Sequence, residues 1–255
     1  MVKLKICGLR CFEDIEMANK YKPDYIGFVF AESPRKVSFQ EAKELSSILS
    51  EDIVPVGVFV DEHMKLIVDL YKEGIIKMAQ LHGNEDENYI KNLKAKSLEL
   101  AGTEIPVINA IEINAISNGP NVDLDTDSGT DADVACGDAD YNDELLEWQN
   151  SASDYFILDS GKGSGKTFDW SLLDKSSEFF KNSIFLAGGL NSENLDLAIE
   201  EFNPFAVDLS SSIETDGFKD EEKLKEIIKI MENYRWFLDN LYIIYKIYIN
   251  LDNFS

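Results

Sequence analysis

Apolar runs alternate with amphipathic segments along most of the chain. The runs are rich in β-branched and aromatic residues, as in YIGFVF at 25–30 and IVPVGVFV at 53–60, and this composition is typical of buried strands. The segments between them carry apolar residues at helical spacing. Alternating strands and helices of this kind predict parallel βαβ units.

The pattern predicts about eight strands, most of them followed by a helix. Ser38, with Glu41 three residues on, and Asn191 are predicted helix N-caps. The strand count favours a single-domain α/β protein with a closed (β/α)8 TIM barrel. An open doubly wound sheet is the alternative, but no G-x-G-x-x-G run lies between the first strand and the first helix. The predicted strands are 2–6, 25–30, 53–60, 76–81, 105–111, 155–158, 183–186 and 205–208, and the predicted helices are 13–21, 38–49, 62–73, 86–96, 143–149, 170–179, 191–201 and 218–234.

Two segments depart from this pattern. Residues 118–143 are rich in Asp, Gly and Asn and poor in large apolar residues, which predicts an exposed, mobile, low-complexity acidic insertion after the fifth strand. Its spaced aspartates suggest a calcium loop, but they lack the glycine and the terminal glutamate at the spacing of an EF-hand, which disfavours calcium binding. We therefore expect a barrel over 1–235 that includes the insertion, followed by a C-terminal extension of unknown role at 236–255.

Charge and composition narrow the classes of partner. The 48 acidic and 24 basic side chains give a formal net charge of −24, which argues against nucleic acid because phosphate-backbone binding needs a basic face. A small anionic substrate responds to the local field and is not excluded.

The three cysteines have no paired spacing and there are two histidines, so we expect neither a disulfide framework nor a metal site. The N-terminus does not resemble a signal peptide and no run is long enough to span a membrane, which predicts a cytoplasmic protein.

Two strand ends carry candidate catalytic groups. Cys7 ends the first strand and Asp159 ends the sixth, and barrel enzymes place their chemistry at these strand ends. A thiolate there can act as base or nucleophile, although a buried structural cysteine is a common alternative. Asp159 is the candidate acid. A substrate lying between the two groups suits an isomerase that donates a proton at one atom and removes one nearby.

Other strand ends carry candidate binding groups. Gly188 and Gly189 follow the seventh strand, and Ser210 and Ser211 follow the eighth. Backbone N–H groups of such turns, together with hydroxyls, make an anion site, and barrels recurrently bind phosphate after these two strands.

Three further residues are candidates with an ordinary structural alternative. Arg35 is suited to a substrate carboxylate or phosphate but is also typical of an exposed loop. His82, at the end of the fourth strand, is suited to a ligand contact or to a loop hydrogen bond. Asp208 is suited to orienting the neighbouring serines or to capping a turn.

The motifs together resemble one family. Phosphoribosylanthranilate isomerases, (β/α)8-barrel enzymes of tryptophan biosynthesis, share these stretches in this order over residues 2–231, apart from the insertion. The matching stretches are KICGLR, DYIGFVF, SPRKVS, VGVFVDE, QLHGNE, FILDS, GSGKTFDW, FLAGGLNSENL and PFAVDLSSSIE.

The resemblance implies an Amadori rearrangement of N-(5-phosphoribosyl)anthranilate to 1-(2-carboxyphenylamino)-1-deoxyribulose 5-phosphate. It implies that Asp159 is the general acid and Cys7 the general base. Arg35 would hold the anthranilate carboxylate with His82 nearby, and Gly189 and the Ser210–Ser211 turn would bind the phosphate. It also implies that no cofactor or metal is needed.

The chain departs from the family in several places. Ser212 stands where the family usually has glycine after the eighth strand, which weakens phosphate binding if that position requires positive φ or close approach of the backbone to the phosphate. The loop after Asp159 is short, and the acidic insertion falls on the face that carries the chemistry. One alternative is a degenerate barrel that binds a phosphorylated ligand or acts as a scaffold. Another phosphosugar barrel, such as indole-glycerol-phosphate synthase, is disfavoured because that family relies on a lysine–glutamate set.

Overall fold

The computed structural model describes residues 1–112, 150–159 and 182–234. Eight parallel strands form a closed barrel in chain order, β1 to β8, with β8 paired to β1. Helices connect successive strands along the described part of the chain, as expected for βαβ units. In chain order the elements are β1 Lys3–Cys7, α1 Phe12–Tyr21, β2 Tyr25–Val29, α2 Phe39–Ser47, β3 Val54–Phe59, α3 Met64–Lys72, β4 Met78–Leu81, α4 Glu87–Ala101, β5 Val107–Glu112, β6 Tyr155–Asp159, β7 Ile184–Leu186, α5 Leu195–Phe202, β8 Ala206–Leu209, β9 Glu214–Thr215, β10 Phe218–Lys219 and α6 at 221–234.

The predicted closed barrel is therefore confirmed. Alternation along the strands divides the apolar side chains into two layers. Leu4 and Ile6 of β1 belong to the layer between the barrel and its helices, so Lys3, Lys5 and Cys7 face the barrel interior. The interior layer is built largely of aromatic and branched side chains, namely Tyr25, Val56, Met78, Ile108, Ile157, Phe185, Ala187 and Ala206.

The ends of several elements differ from the predictions. The helix predicted to begin at 191 begins at Leu195 with Asn194 as N-cap, because 192–194 form a turn in which the Asn191 side chain accepts a hydrogen bond from the backbone of Glu193. The helix predicted to end at 96 continues to Ala101 and stops at a glycine in the left-handed conformation.

The helix predicted over 218–234 begins only at 221. The residues before it form the β9–β10 hairpin, which turns at Asp216 and Gly217 with φ values of 52° and 79°. An Asp-Gly pair with two positive φ angles is a favoured hairpin turn. The turn at Asp216 and Gly217 pairs 218–219 with 214–215 as strands, so the helix starts after them.

Other predictions lie outside the described residues. They concern the acidic insertion at about 118–143, the helices at 143–149 and 170–179, the GSGKTFDW run and the tail at 236–255. Among the helices that the structure does describe, none combines the length and apolar character needed to cross a membrane.

Candidate active site

A polar cavity of about 400 Å³ opens at the C-terminal ends of the strands. All the candidate residues line it: Cys7, Arg35, His82, Asp159, Gly188, Gly189, Asp208, Ser210 and Ser211. Its volume is within the range of sites for small ligands. The closed barrel thus brings together groups that lie up to about 200 residues apart in the chain.

Cys7 lies at the end of β1 and is buried. Gly27 of the neighbouring strand makes room for the thiol, since a Cβ at Gly27 would lie 2.6 Å from the Cys7 Sγ. Burial raises the pKa of Cys7, while the ammonium groups of Lys5 and Lys219 lower it and the Asp208 carboxylate raises it further. The protonation of this thiol therefore depends on three neighbouring charges.

Asp208, which lines the cavity, forms an ion pair with Lys5 of β1. The Lys5 Nζ donates to Asp208 Oδ2 at 2.9 Å, and neither side chain has more than 8% of its surface exposed. Burial alone would lower the pKa of Lys5, but attraction to the Asp208 carboxylate raises it above its usual value. The other Asp208 oxygen, Oδ1, is buried and accepts no hydrogen bond from the described residues.

Asp159 lies across the barrel from Cys7. Its strand, β6, is separated from β1 by β7 and β8. The Nε2 atom of His82 lies 4.0 Å from Asp159 Oδ2, so these two predicted site residues share one side of the cavity. A ligand bound in the cavity would have the Cys7 thiol on one side and the Asp159 carboxyl group on another.

The predicted phosphate-binding turns follow β7 and β8. Gly188 and Gly189 both have positive φ, 80° and 73°, which is costly for residues that carry a Cβ. The Ser210 hydroxyl donates to the Cys7 carbonyl at 3.2 Å. Ser212, at the position where the resemblance led us to expect glycine, lies in a short 3-10 turn, Ser211–Ile213, without positive φ. The φ angle at position 212 therefore does not require glycine.

Arg35 lies on the loop between β2 and α2 and is held by Glu214. Its Nε and Nη2 donate to the two carboxylate oxygens of Glu214 at 2.7 and 2.6 Å. Burial would raise the pKa of Glu214, but hydrogen bonds from Arg35 and Lys219 lower it to about 2. Arg35 is thus not a freely moving loop arginine.

Sequence reasoning missed four residues of this site: Lys5, Gln80, Glu214 and Lys219. Lys5 carried a detectable signal, because it lies two residues before Cys7 on a buried strand and must point to the same side. Gln80 likewise lies within the buried strand β4 and lines the cavity. Lys219 lies in β10, within the range 218–234 that was predicted to be helical, and Glu214 lies in β9, in a segment for which no element was predicted.

The fold and the position of the cavity define a (β/α)8-barrel protein whose site lies where barrel enzymes carry out their chemistry. The family model described as N-(5'phosphoribosyl)anthranilate (PRA) isomerase matches residues 4–124 and 132–230. The chain therefore belongs to the phosphoribosylanthranilate isomerase family.

Individual relatives agree with this assignment. The chain is 38% identical to N-(5'-phosphoribosyl)anthranilate isomerase of Clostridium acetobutylicum over 240 residues, which cover 92% of this chain and 100% of the relative. It is 40% identical to that of Endomicrobium trichonymphae over 233 residues, 91% of this chain and 100% of the relative.

Solved structures of the family share the fold. The phosphoribosylanthranilate isomerase of Thermotoga maritima is similar with a TM-score of 0.67 and 31% identity, covering 91% of this chain and 100% of that one. A phosphoribosylanthranilate isomerase in complex with reduced 1-(o-carboxyphenylamino)-1-deoxyribulose 5-phosphate is similar with a TM-score of 0.66 and 28% identity, with the same coverage.

Proposed function

We propose that the chain is a phosphoribosylanthranilate isomerase of tryptophan biosynthesis and that Cys7 and Asp159 are its catalytic pair. The reaction is the Amadori rearrangement of N-(5-phosphoribosyl)anthranilate to 1-(2-carboxyphenylamino)-1-deoxyribulose 5-phosphate. Family membership supports the activity. The observation that supports the residue roles is that Cys7 and Asp159, from β1 and β6, line the same cavity.

The first step in this mechanism is opening of the sugar ring. Asp159 donates its proton to the furanose ring oxygen, the C1–O bond breaks, and the nitrogen lone pair forms the Schiff base at C1. His82, with Nε2 4.0 Å from Asp159 Oδ2, lies beside the carboxyl group during this transfer. The proton donor must lie within hydrogen-bond reach of the ring oxygen.

The second step moves a hydrogen from C2. The Cys7 thiolate removes the C2 proton, and the electron pair moves into the C1–C2 bond to neutralise the Schiff base as an enolamine. The enolamine then tautomerises: C1 gains a proton, the C2 hydroxyl loses its proton, and the C2 ketone forms. Burial raises the pKa of Cys7 above its ordinary value, and Lys5 and Lys219 partly offset this effect and so favour the thiolate that this step requires.

The two ends of the substrate are held by different elements. Arg35 binds the anthranilate carboxylate through a guanidinium edge, a geometry that suits planar anions. Backbone N–H groups around Gly189 and at the Ser210–Ser211 turn bind the phosphate without net positive charge. Gly188 and Asp208 line the same region and shape it. The ligand is therefore a small phosphorylated molecule, and the proposal includes no cofactor and a cytoplasmic location.

Substitution of the two proton-transfer groups tests this function. Cys7→Ala and Asp159→Asn are each expected to lower kcat by at least about 10²-fold, since each removes a proton-transfer group. Cys11→Ala is the matched control, because Cys11 lies outside the cavity at the N-cap of α1. Turnover of phosphoribosylanthranilate near the wild-type rate in either variant would contradict the proposed roles.

The degenerate-barrel alternative predicts a different result for the unmodified chain. Such a protein would bind the reduced product analogue in a calorimetric titration and show no turnover. The isomerase proposal expects both binding and turnover. Measuring the two separately on the same preparation distinguishes the alternatives.

A further inference from the structure

Arg35 and two residues of the distant β9–β10 hairpin, Glu214 and Lys219, form a charged cluster at the edge of the cavity. Glu214 of β9 accepts hydrogen bonds from Arg35 through both carboxylate oxygens and from the Lys219 Nζ at 2.7 Å. Only 6% of the Glu214 side chain and 3% of the Lys219 side chain are exposed. Buried charges of this kind are stable when each has hydrogen-bonded partners, as these have.

The contact with Glu214 occupies one edge of the guanidinium. Of the five N–H donors of an arginine, the Nε donor and one on Nη2 are used, and the remaining three have no partner among the described residues. Arg35 lines the cavity, so a second edge is available to a planar anion. Because Glu214 holds one edge of the guanidinium, the plane of Arg35 is fixed before a ligand carboxylate binds to the other edge.

Gly8 restricts Arg35 from the other side. It has φ of +87°, and a Cβ at this position would lie 2.4 Å from the Cδ of Arg35. The arginine stem therefore packs directly on the backbone after β1. The guanidinium is fixed between this backbone and Glu214.

Lys219 connects Glu214 to the strand ends that carry the proposed chemistry. Its Nζ donates to the carbonyl of Cys7 at 2.6 Å and to the carbonyl of Ser210 at 3.1 Å. Because Lys219 also holds Glu214, the position of Arg35 is tied to the end of β1 and to the turn after β8. One buried ion pair thus sets the spacing between three parts of the site.

We propose that Glu214 is the positioning residue for carboxylate recognition, holding Arg35 at a fixed place relative to Cys7 and the turn after β8 with Lys219 behind it. The inference rests on the proposed function, in which Arg35 binds the anthranilate carboxylate. A preorganised guanidinium orders fewer groups when the substrate binds and places the aromatic half of the substrate correctly. Without Glu214 the guanidinium keeps its charge but loses its fixed plane.

Glu214→Gln tests the inference by comparing two substrates. With phosphoribosylanthranilate we expect kcat/KM to fall by about 10-fold, mainly through KM, because one bidentate charge-assisted contact is lost. With N-(5-phosphoribosyl)aniline, which lacks the carboxyl group, we expect a change of less than about 2-fold from the same substitution. An equal fall with both substrates, or no fall with either, would overturn the inference.

A double-mutant cycle with Arg35→Ala provides the second readout. If Glu214 acts through Arg35, Glu214→Gln should change kcat/KM by less than about 2-fold in the Arg35→Ala background. Additive effects would show that Glu214 acts elsewhere and would overturn the proposal. Glu221→Gln is the matched control, since Glu221 is an exposed carboxylate on α6 paired with Lys20, and it should leave kcat/KM unchanged.

Loss of Glu214 alone leaves the buried Lys219 charge without its carboxylate. The double variant Glu214→Gln/Lys219→Met removes both buried charges and so avoids the loss of stability that an unpaired Lys219 would cause. Because Lys219 also acts on Cys7, the double variant is compared with Lys219→Met alone. Adding Glu214→Gln should lower kcat/KM about 10-fold for the carboxylated substrate and less than about 2-fold for the aniline substrate, and equal changes with both would overturn the inference.

The proposed function and this inference fail in different ways. Absence of turnover in the wild-type chain contradicts the function only. Calorimetric binding of the reduced product analogue then still tests the inference. Binding weakened about 10-fold by Glu214→Gln supports it, and unchanged binding overturns it.

Discussion

At the scale of single residues, the buried Lys5–Asp208 ion pair next to Cys7 acts on the pKa of its thiol. Lys5 precedes Cys7 by two positions on β1, and its partner Asp208 lies opposite it on β8. Lys5 lowers the pKa of Cys7 and Asp208 raises it. The two members of the pair therefore act on the proposed base in opposite directions.

Substitution of either member should shift the pH profile of the reaction. As pH rises, kcat/KM increases when the Cys7 thiolate forms. Lys5→Met removes a positive charge, raises the pKa of Cys7 and should move this limb to higher pH by about one unit. Asp208→Asn should move it to lower pH, because it removes a negative charge. The measurement is kcat/KM against pH for the three proteins.

Each single variant leaves one buried charge without its partner, which costs about 3 kcal/mol of folding stability. Circular dichroism at each pH establishes that the protein is folded before rates are compared. Shifts in the same direction for both variants would contradict the assignment of opposite effects. Lys65→Met, which removes an exposed charge paired with Asp69 on α3, should leave the profile unchanged.

The candidate site divides into residues that sequence patterns predict and residues that they do not. Cys7, His82 and Asp159 were found because they end apolar runs, and parallel strands gather their C-terminal ends at one rim. Their roles remain predictions. Glu214 was not found, because its partner Arg35 is 179 residues away and no local pattern records a pairing over that distance.

At the scale of elements, α2 shows how local signals fix a helix end. The Ser38 hydroxyl accepts from the backbone N–H of Glu41, and the Glu41 carboxylate accepts from the backbone N–H of Ser38. This confirms the predicted capping box. The cap lies three residues after Arg35, so it also fixes where the loop that carries Arg35 ends.

Removal of this cap should lower stability by a defined amount. Ser38→Ala leaves a helix N–H without its side-chain acceptor and should reduce the free energy of unfolding by about 1 kcal/mol. Ser47→Ala, in the last turn of the same helix, removes a hydroxyl that bonds only to a carbonyl within its own helix and should change it by less than about 0.5 kcal/mol. Urea denaturation measures both variants, and equal losses would contradict a specific role for the cap.

Elements were predicted best where burial and local chemistry agree. The strands coincide with apolar runs because both of their faces are covered by side chains. The start of α5 was misplaced because Asn191 has the chemistry of a cap but makes a turn, while Asn194 precedes the helix. Asn occurs in both settings, and the choice depends on how the following turn packs.

At the scale of the whole molecule, the two ends of the barrel differ in composition. The C-terminal end carries the polar cavity, whereas aromatic rings fill the interior towards the N-terminal end. Phe185 makes edge-to-face contacts with Tyr25 and Tyr155, with ring centroids 5.3 and 5.7 Å apart, and Phe205 packs beside them at 5.4 Å. The Lys3 ammonium lies 4.6 Å from the Phe205 ring and covers the cluster. Such a layer is expected to stabilise the fold rather than to contact the ligand.

Phe185→Ala should therefore separate stability from activity. Phe185 is fully buried, and its removal leaves a cavity among the aromatic rings that should cost about 4 kcal/mol. Leu197→Ala is the control, because Leu197 is 63% exposed on α5 and its loss should cost less than about 0.5 kcal/mol. The folded Phe185→Ala protein should keep kcat/KM within about 3-fold of wild type, since the rings lie below the groups proposed for catalysis. A variant that kept its stability and lost its activity would show that the aromatic layer supports the site directly.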